Sequence, residues 1–188
     1  MSLRECHREF FKALCDVFGE AVNVLLKLAV EKSKLDKSKV AALIDYIEAP
    51  CIDKKKIIGD VKASEFSKDD AYRLMYAFFS VLDEILGESA LVLAKIAVEN
   101  LSKHGKDLLN SLDKLFGQIA EMIVEDIEGG VRCIFRPRMK DAHKHMPMTS
   151  GVPFPALIYF VYKLGENFKV TKLEHVPNEY CLIEAKRI

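Results

Sequence analysis

The 188-residue chain has no net charge, no long apolar run and no paired-cysteine motif. Its 28 Lys and Arg balance 28 Asp and Glu, so the whole chain shows no excess of positive charge for binding nucleic acid. The longest apolar run, residues 154–162, is too short to span a bilayer as a helix, and we expect no membrane partner. A signal peptide is not expected either, because Arg4, Glu5 and Arg8 stand where its apolar core would lie.

The five cysteines are odd in number, and none belongs to a C-x-x-C pair: Cys6, Cys15, Cys51, Cys133 and Cys181. Cys6 and Cys15 lie nine residues apart, which places them on opposite sides of a helix. We therefore expect free, buried thiols in a reducing compartment, and a cytoplasmic location.

Motifs of the common nucleotide-binding and hydrolytic sites are also missing. The chain has no P-loop, no G-x-G-x-x-G and no G-x-S-x-G, so no cofactor is expected. Cys133 and Cys181 have histidines nearby in sequence, but both lie among apolar residues, where an inert thiol is the expected state. Whether the protein is an enzyme stays open, and the sequence favours the answer no.

The first 130 residues show helical periodicity. Ser2 and Glu5 have the spacing of a capping box, and the apolar pattern that follows predicts one helix up to about Lys32. A second helix is expected between Asp36 and Pro50, and a third after the cap residue Ser67. Two more are expected over residues 91–103 and 108–128, ending at a glycine pair.

After residue 130 the apolar residues recur at every second position, which is typical of a strand. Residues 131–136 alternate as a strand, 157–162 form an apolar run typical of a central strand, and 168–174 and 180–186 complete a hairpin. Short connections predict an antiparallel sheet. The expected fold class is therefore α+β, with a helical bundle of about five helices over residues 1–130 and a four-stranded antiparallel sheet over 131–188. The two parts could also be one fused domain.

A basic loop over residues 136–155 joins the first two predicted strands. The first 130 residues carry 18 Lys and Arg and 23 Asp and Glu, a net charge of −5, and the remaining residues carry a net charge of +5. The candidate residues for binding nucleic acid or another partner are Arg132, Arg136, Arg138, Lys140 and Lys144. The alternative is that these side chains are solvated or pair with the acidic helical part.

The same loop contains His143 and His145, which are candidate metal ligands. Imidazole suits zinc, copper and nickel, but a structural zinc site normally has four ligands in a closed spacing pattern, which this stretch does not show. Solvated histidines in a surface loop are the simpler interpretation.

Taken together, these features favour a non-catalytic interaction or assembly protein that presents its basic loop to a partner. The apolar seam of the first helix and the doubly apolar strand 157–162 predict self-association into a homo-oligomer, or membership of a larger complex. The alternatives are a nucleic-acid-binding subunit that uses residues 132–144 and a metal or small-ligand protein centred on His143 and His145. The expected partners are a second copy, a nucleic acid or an acidic protein surface.

Overall fold

The computed structural model describes residues 3–86, 90–103, 107–144, 146–149 and 151–188, and its fold is α+β. Within these residues there are eight α-helices, a four-stranded antiparallel sheet and a two-stranded hairpin. The predicted fold class is therefore confirmed. The chain divides into two compact units, Ser2–Gly87 and Glu88–Ile188.

The elements follow one another in chain order. The N-terminal unit contains α1 (Leu3–Phe18), α2 (Ala21–Ser33), α3 (Lys37–Ile47), α4 (Lys54–Ile58) and α5 (Lys68–Leu86). The C-terminal unit contains α6 (Ala90–Lys103), α7 (Leu108–Phe116), β1 (Ala120–Ile127), β2 (Gly130–Pro137), β3 (Met148–Thr149), β4 (Val152–Pro153), α8 (Phe154–Leu164), β5 (Phe168–Val176) and β6 (Tyr180–Arg187). The four-stranded sheet has the order β1-β2-β6-β5.

The core of the N-terminal unit forms where α1 and α2 meet α5. The rings of Phe11 and Phe78 lie 5.4 Å apart between centroids, and both side chains are fully buried. Leu26 and Leu74 are buried beside them. Burial of each such side chain contributes about 1.5–3 kcal/mol, so these helices are held together mainly by apolar packing.

The single helix expected up to residue 32 is in fact two helices. Gly19 has φ +53°, a left-handed conformation that glycine adopts without strain, and its N–H donates to the Cys15 carbonyl (2.8 Å). This residue ends α1, and α2 begins two residues later. The apolar spacing continues across the break, which is why periodicity alone did not indicate it. Ser2 of the expected capping box lies outside the described residues.

A capping box starts α5, as the sequence indicated. The Ser67 hydroxyl accepts from the Asp70 N–H (3.2 Å), and the Asp70 carboxylate accepts from the Ser67 N–H (2.8 Å). The carboxylate also accepts hydrogen bonds from the Ser67 hydroxyl (2.8 Å) and the Lys39 ammonium group (3.1 Å). Asp70 is 5% exposed, and these donors compensate for its burial.

The sheet has the expected number of strands but not the expected strands. Residues 120–127, predicted as the end of the fifth helix, form β1, because Gly117 ends α7 with its N–H bonded to the Asp113 carbonyl (2.7 Å). Residues 157–162, predicted as a central strand, belong to α8. A continuous apolar run does not distinguish a buried strand from a buried helix, and Pro155 suits the first turn of a helix.

The described residues of the region 136–155 contain secondary structure where a long loop was expected. They include the end of β2, a 3-10 turn at Ala142–Lys144, the β3–β4 hairpin and the start of α8. Gly151 has φ +78° in the hairpin connection, a conformation that disfavours other residues.

A disulfide bond joins Cys15 of α1 to Cys51 after α3, so the expectation that all cysteines are free is wrong. The Asn23 amide fixes the same segment: it donates to the Cys51 carbonyl (2.9 Å) and accepts from the Asp53 N–H (2.7 Å). Asn23 is 5% exposed and has these partners in place of water. Spacing along the chain could not reveal the bond, since its two ends are 36 residues apart.

In the part of the chain that the structure describes, no helix is both long and apolar enough to cross a membrane. The cytoplasmic location stays a prediction, and the disulfide bond removes the free thiols on which it partly rested.

Replacement of Asp70 with Asn should destabilise the protein, while Asp69→Asn should not. Hydrogen bonds from the backbone and side chain of Ser67 lower the pKa of Asp70 to about 2, against an ordinary value of 3.8. The carboxylate therefore stabilises the fold above about pH 4, and this contribution disappears as the pH falls towards about 2. We expect a loss of about 1–2 kcal/mol at pH 7 in urea unfolding, and a flatter acid limb of the stability profile.

Asp69 is the matched control because it is exposed in the same helical turn and its replacement removes the same charge. Equal losses for the two variants would show that the helix dipole, and not the capping box, accounts for the effect.

In the protein denatured without reductant, Cys15 and Cys51 should escape alkylation, while Cys133 and Cys181 should be labelled, as read by peptide mass spectrometry. Because the disulfide closes a loop with a sequence separation of 36, its reduction should lower the free energy of unfolding by about 3–4 kcal/mol. Labelling of Cys15 and Cys51 before reduction would contradict the bond between them. The double variant Cys15→Ser, Cys51→Ser should show the same labelling of Cys133 and Cys181 with and without reductant.

Candidate functional site

Arg132, the first of the predicted basic residues, is paired within the sheet. It lies on β2 between Glu125 of β1 and Glu184 of β6, which are its register neighbours. Its guanidinium group is 2.8 Å from Glu184 and 3.0 Å from Glu125. Hydrogen bonds to Glu184 and Glu125 raise the pKa of Arg132. This side chain is therefore part of a row of alternating charges across the sheet, and its predicted binding role stays a prediction.

Arg138, another of the predicted basic residues, also has partners within the chain. Arg138 donates to the Gly117 carbonyl (2.8 Å) and lies 3.9 Å from both Asp113 and Glu121. Arg136 and Lys140 are exposed, and the side chain of Lys144 lies outside the described part of the structure. The binding role predicted for these residues stays a prediction, but two of them already have acidic neighbours in the chain.

His143, one of the two predicted metal ligands, lies close to another histidine. His143 lies on the 3-10 turn, and its ring is 5.8 Å from that of His175 on β5, measured between centroids. His145 lies outside the described residues. His175 is also the cross-strand partner of Cys181, so these side chains share one face of the sheet. The sequence showed a cysteine and histidines in this region but could not show which histidine His143 meets.

The inner face of the sheet is covered by α8. Cys133 and Ile183 are fully buried on this face, and Ala156 and Phe160 of α8 are fully buried as well. The α8 helix is buried from Phe154 to Val161, which explains the absence of polar alternation in its sequence. Cys133 is a free thiol, and burial raises its pKa.

Tyr159 is the polar exception on α8. The residue is 5% exposed, and no described residue forms a hydrogen bond with its hydroxyl. Burial raises the pKa of Tyr159 to about 12, and negative charge on Asp126 of β1 raises it further. The hydroxyl is therefore a neutral donor at physiological pH.

The edge of this site is polar. The Tyr162 ring lies 5.9 Å from the Tyr159 ring, and the Lys163 ammonium group lies 6.0 Å from the centroid of the Tyr159 ring. Lys163 also approaches Asp126 (3.6 Å), whose side chain is mostly exposed. A largely buried tyrosine next to an apolar wall, with charged and aromatic groups at the surface, makes this part of the unit the candidate functional site.

Comparison with solved structures finds chains that align with most of this one at low similarity. One is an oxygen-binding H-NOX domain related to soluble guanylate cyclases, 12% identical, with a TM-score of 0.39, covering 94% of this chain and 89% of that chain. A second is described by the words "Modulating Heme Redox Potential Through Protein-Induced Porphyrin Distortion", at 10% identity and a TM-score of 0.39, covering 97% of this chain and 96% of that one. A third concerns the mechanism of H-NOX activation, at 11% identity and a TM-score of 0.39, covering 97% and 93%.

No protein-family model matches the chain, and no curated protein matches it. At TM-scores of 0.39 and identities of 10–12%, the solved structures assign no ligand and no residue role to this chain.

These comparisons contradict the function expected from the sequence. The solved chains are described as haem-containing or H-NOX domains, and not as assembly or nucleic-acid-binding proteins. The expectation of a non-catalytic, homo-oligomeric assembly protein with a basic docking loop, and its nucleic-acid alternative, is therefore wrong. Self-association as such stays a prediction.

In the native protein, Cys133 should resist alkylation and Cys181 should react only slowly. Cys133 is fully buried and Cys181 is half-buried, and burial raises the pKa of both thiols, so little reactive thiolate forms. The measurement is iodoacetamide labelling at pH 8, followed by peptide mass spectrometry, with the urea-unfolded protein as the reference. Labelling of native Cys133 at the unfolded rate would contradict its burial and would restore it as a candidate nucleophile.

Proposed function

We propose that the C-terminal unit is a small-ligand-binding domain, with a site between α8 and the inner face of the sheet. The Tyr159 hydroxyl is the polar contact, and the ligand is a small, mainly apolar molecule that carries a hydrogen-bond acceptor. The observation behind this proposal is a tyrosine that is 5% exposed and whose hydroxyl has no hydrogen-bond partner among the described residues.

The energetic reason is the cost of burying a hydroxyl group. A buried donor without a partner costs about 1–3 kcal/mol, and a phenylalanine in its place would avoid this cost. Unpaired buried groups in folded proteins usually indicate a bound water, an ion or a functional role. Because burial keeps the phenol protonated, the ligand atom that pairs with the Tyr159 hydroxyl must accept a hydrogen bond.

The surroundings of the hydroxyl fit a neutral ligand better than an anion. Asp126 and Asp107 both contribute negative potential at the hydroxyl, and Lys163, whose ammonium group lies over the Tyr159 ring, is already paired with Asp126. The wall formed by α8 and the sheet is apolar. A carbonyl, an ether or a diatomic gas satisfies these conditions, since each is small and accepts a hydrogen bond without a full charge.

Haem is the group named for the solved structures, and His143, His175, Cys133 and Tyr159 do not offer it an axial ligand. Haem iron takes an axial His, Cys, Met or Tyr ligand in an apolar pocket. Of the histidines whose side chains are described, His143 and His175 are both exposed, while burial keeps the Cys133 thiol and the Tyr159 phenol protonated. No step is therefore assigned to haem.

The test is ligand-observed NMR with a panel of small ketones, ethers and aromatic carbonyl compounds, followed by calorimetry of the strongest binder. Tyr159→Phe should weaken its binding by about two- to tenfold, which is the range allowed by about 0.5–1.5 kcal/mol for one hydrogen bond. The same variant should unfold at an equal or higher urea concentration in the absence of ligand, because an unpaired hydroxyl has been removed.

Tyr76→Phe is the matched control, since it removes the same hydroxyl group from an α5 side chain that is 79% exposed and lies outside the site. It should leave binding unchanged. If no compound binds, or if both variants bind equally well, the Tyr159 hydroxyl has only a structural role and the proposal is wrong. A parallel titration with haemin, followed by visible absorbance, should show no saturable binding to one site.

A further inference from the structure

Two imidazole rings from distant parts of the chain meet on the surface of the C-terminal unit. His143 and His175 are separated by 32 positions in the sequence, yet their ring centroids are 5.8 Å apart, with an angle of 66° between the ring planes. Both residues are exposed, so apolar burial does not account for the contact. Neither histidine is a residue of the proposed ligand site at Tyr159.

The backbone holds His143 in position from both sides. The neighbouring Ala142 and Met146 are buried, and the Met146 N–H donates to the Ala142 carbonyl (3.0 Å). The Asp141 N–H donates to the Asn178 side-chain oxygen (3.3 Å), which ties the turn to the β5–β6 connection. The turn that carries His143 is thereby attached next to the strand that carries His175.

His175 has an equally defined place. It lies near the end of β5, opposite Cys181 of β6, and the Glu179 N–H closes the following turn on the Val176 carbonyl (3.1 Å). Its neighbour Glu174 is directed to the other face of the sheet, where it accepts hydrogen bonds from Tyr180 and pairs with Lys172 (3.0 Å). No acidic side chain is therefore added to the histidine pair by β5.

The distance between the rings is close to that of two histidines on one metal ion. With metal–nitrogen bonds of about 2.0–2.1 Å and adjacent coordination positions, the two ring centres would lie roughly 4.5–5 Å apart. The observed 5.8 Å requires the rings to approach by about 1 Å, which rotation of two exposed side chains provides.

We propose that His143 and His175 form a surface site for one divalent late first-row transition metal ion, with water in the remaining positions. Imidazole is a preferred ligand of nickel, copper and zinc. Among the described residues, no three His, Cys, Asp or Glu side chains form a metal cluster, so this site supplies two protein ligands and is open to exchange. It corrects the expected ligand pair, with His175 in place of His145.

Nickel(II) alone is the probe, because it binds imidazole without oxidising the free thiols. Calorimetric titration of the untagged full chain should show one site. Loss of a group that merely supports a metal ligand costs about 10- to 100-fold in affinity, so His143→Asn and His175→Asn should each weaken binding by at least about tenfold. The exposed position of both residues means that the variants should keep the circular dichroism spectrum and urea midpoint of the wild type.

Two further variants decide between this pair and its neighbours. His145→Asn and Cys181→Ser should bind nickel with the affinity of the wild type. The proposal is overturned if the wild type shows no one-site binding, if His175→Asn binds as well as the wild type, or if His145→Asn is the variant that loses the metal. Loss of binding in Cys181→Ser alone would assign the metal to the thiol and would equally overturn it.

Discussion

The burial of α8 is the constraint on which the C-terminal unit depends. This helix is 11 residues long and is buried over eight of them, so most of its surface is removed from water. Each large apolar side chain removed from water in this way contributes about 1.5–3 kcal/mol, and the inner face of the sheet is apolar because it faces this helix. The same burial means that an unpaired hydroxyl group in the helix costs free energy, and Tyr159 carries such a group.

The sequence predicted the fold class and the number of strands in the sheet better than it predicted which residues form each element. The cap at Ser67, the hairpin of β5 and β6, and the strand from residue 130 follow from local signals, and all are present. Residues 120–127 were predicted as helix and form a strand, whereas residues 157–162 were predicted as a strand and form part of a helix. The first continues a helical spacing from α7, and the second is apolar in every position, so neither pattern contained the tertiary packing that decided between helix and strand.

In the candidate sites as well, the sequence showed the residue types but not their partners, which are distant in the sequence. A cluster of basic residues in the sequence suggested a binding surface, but the register of the sheet places Arg132 between two acids that are 7 and 52 positions away. Likewise, the histidine that meets His143 lies on another strand, and the missing partner of Tyr159 is a property of the folded environment. The residue types were visible in the sequence, whereas their partners were fixed by strand pairing and helix packing.

The segment around Cys51 is held to the N-terminal unit in two independent ways. One is the covalent bond to Cys15, and the other is the Asn23 amide, which binds the carbonyl of Cys51 and the N–H of Asp53. A change in redox conditions acts only on the first. Reduction would therefore remove a restraint on the unfolded chain and leave the native position of this segment specified by Asn23, so that the disulfide bond governs how long the unit survives denaturing conditions more than what shape it has.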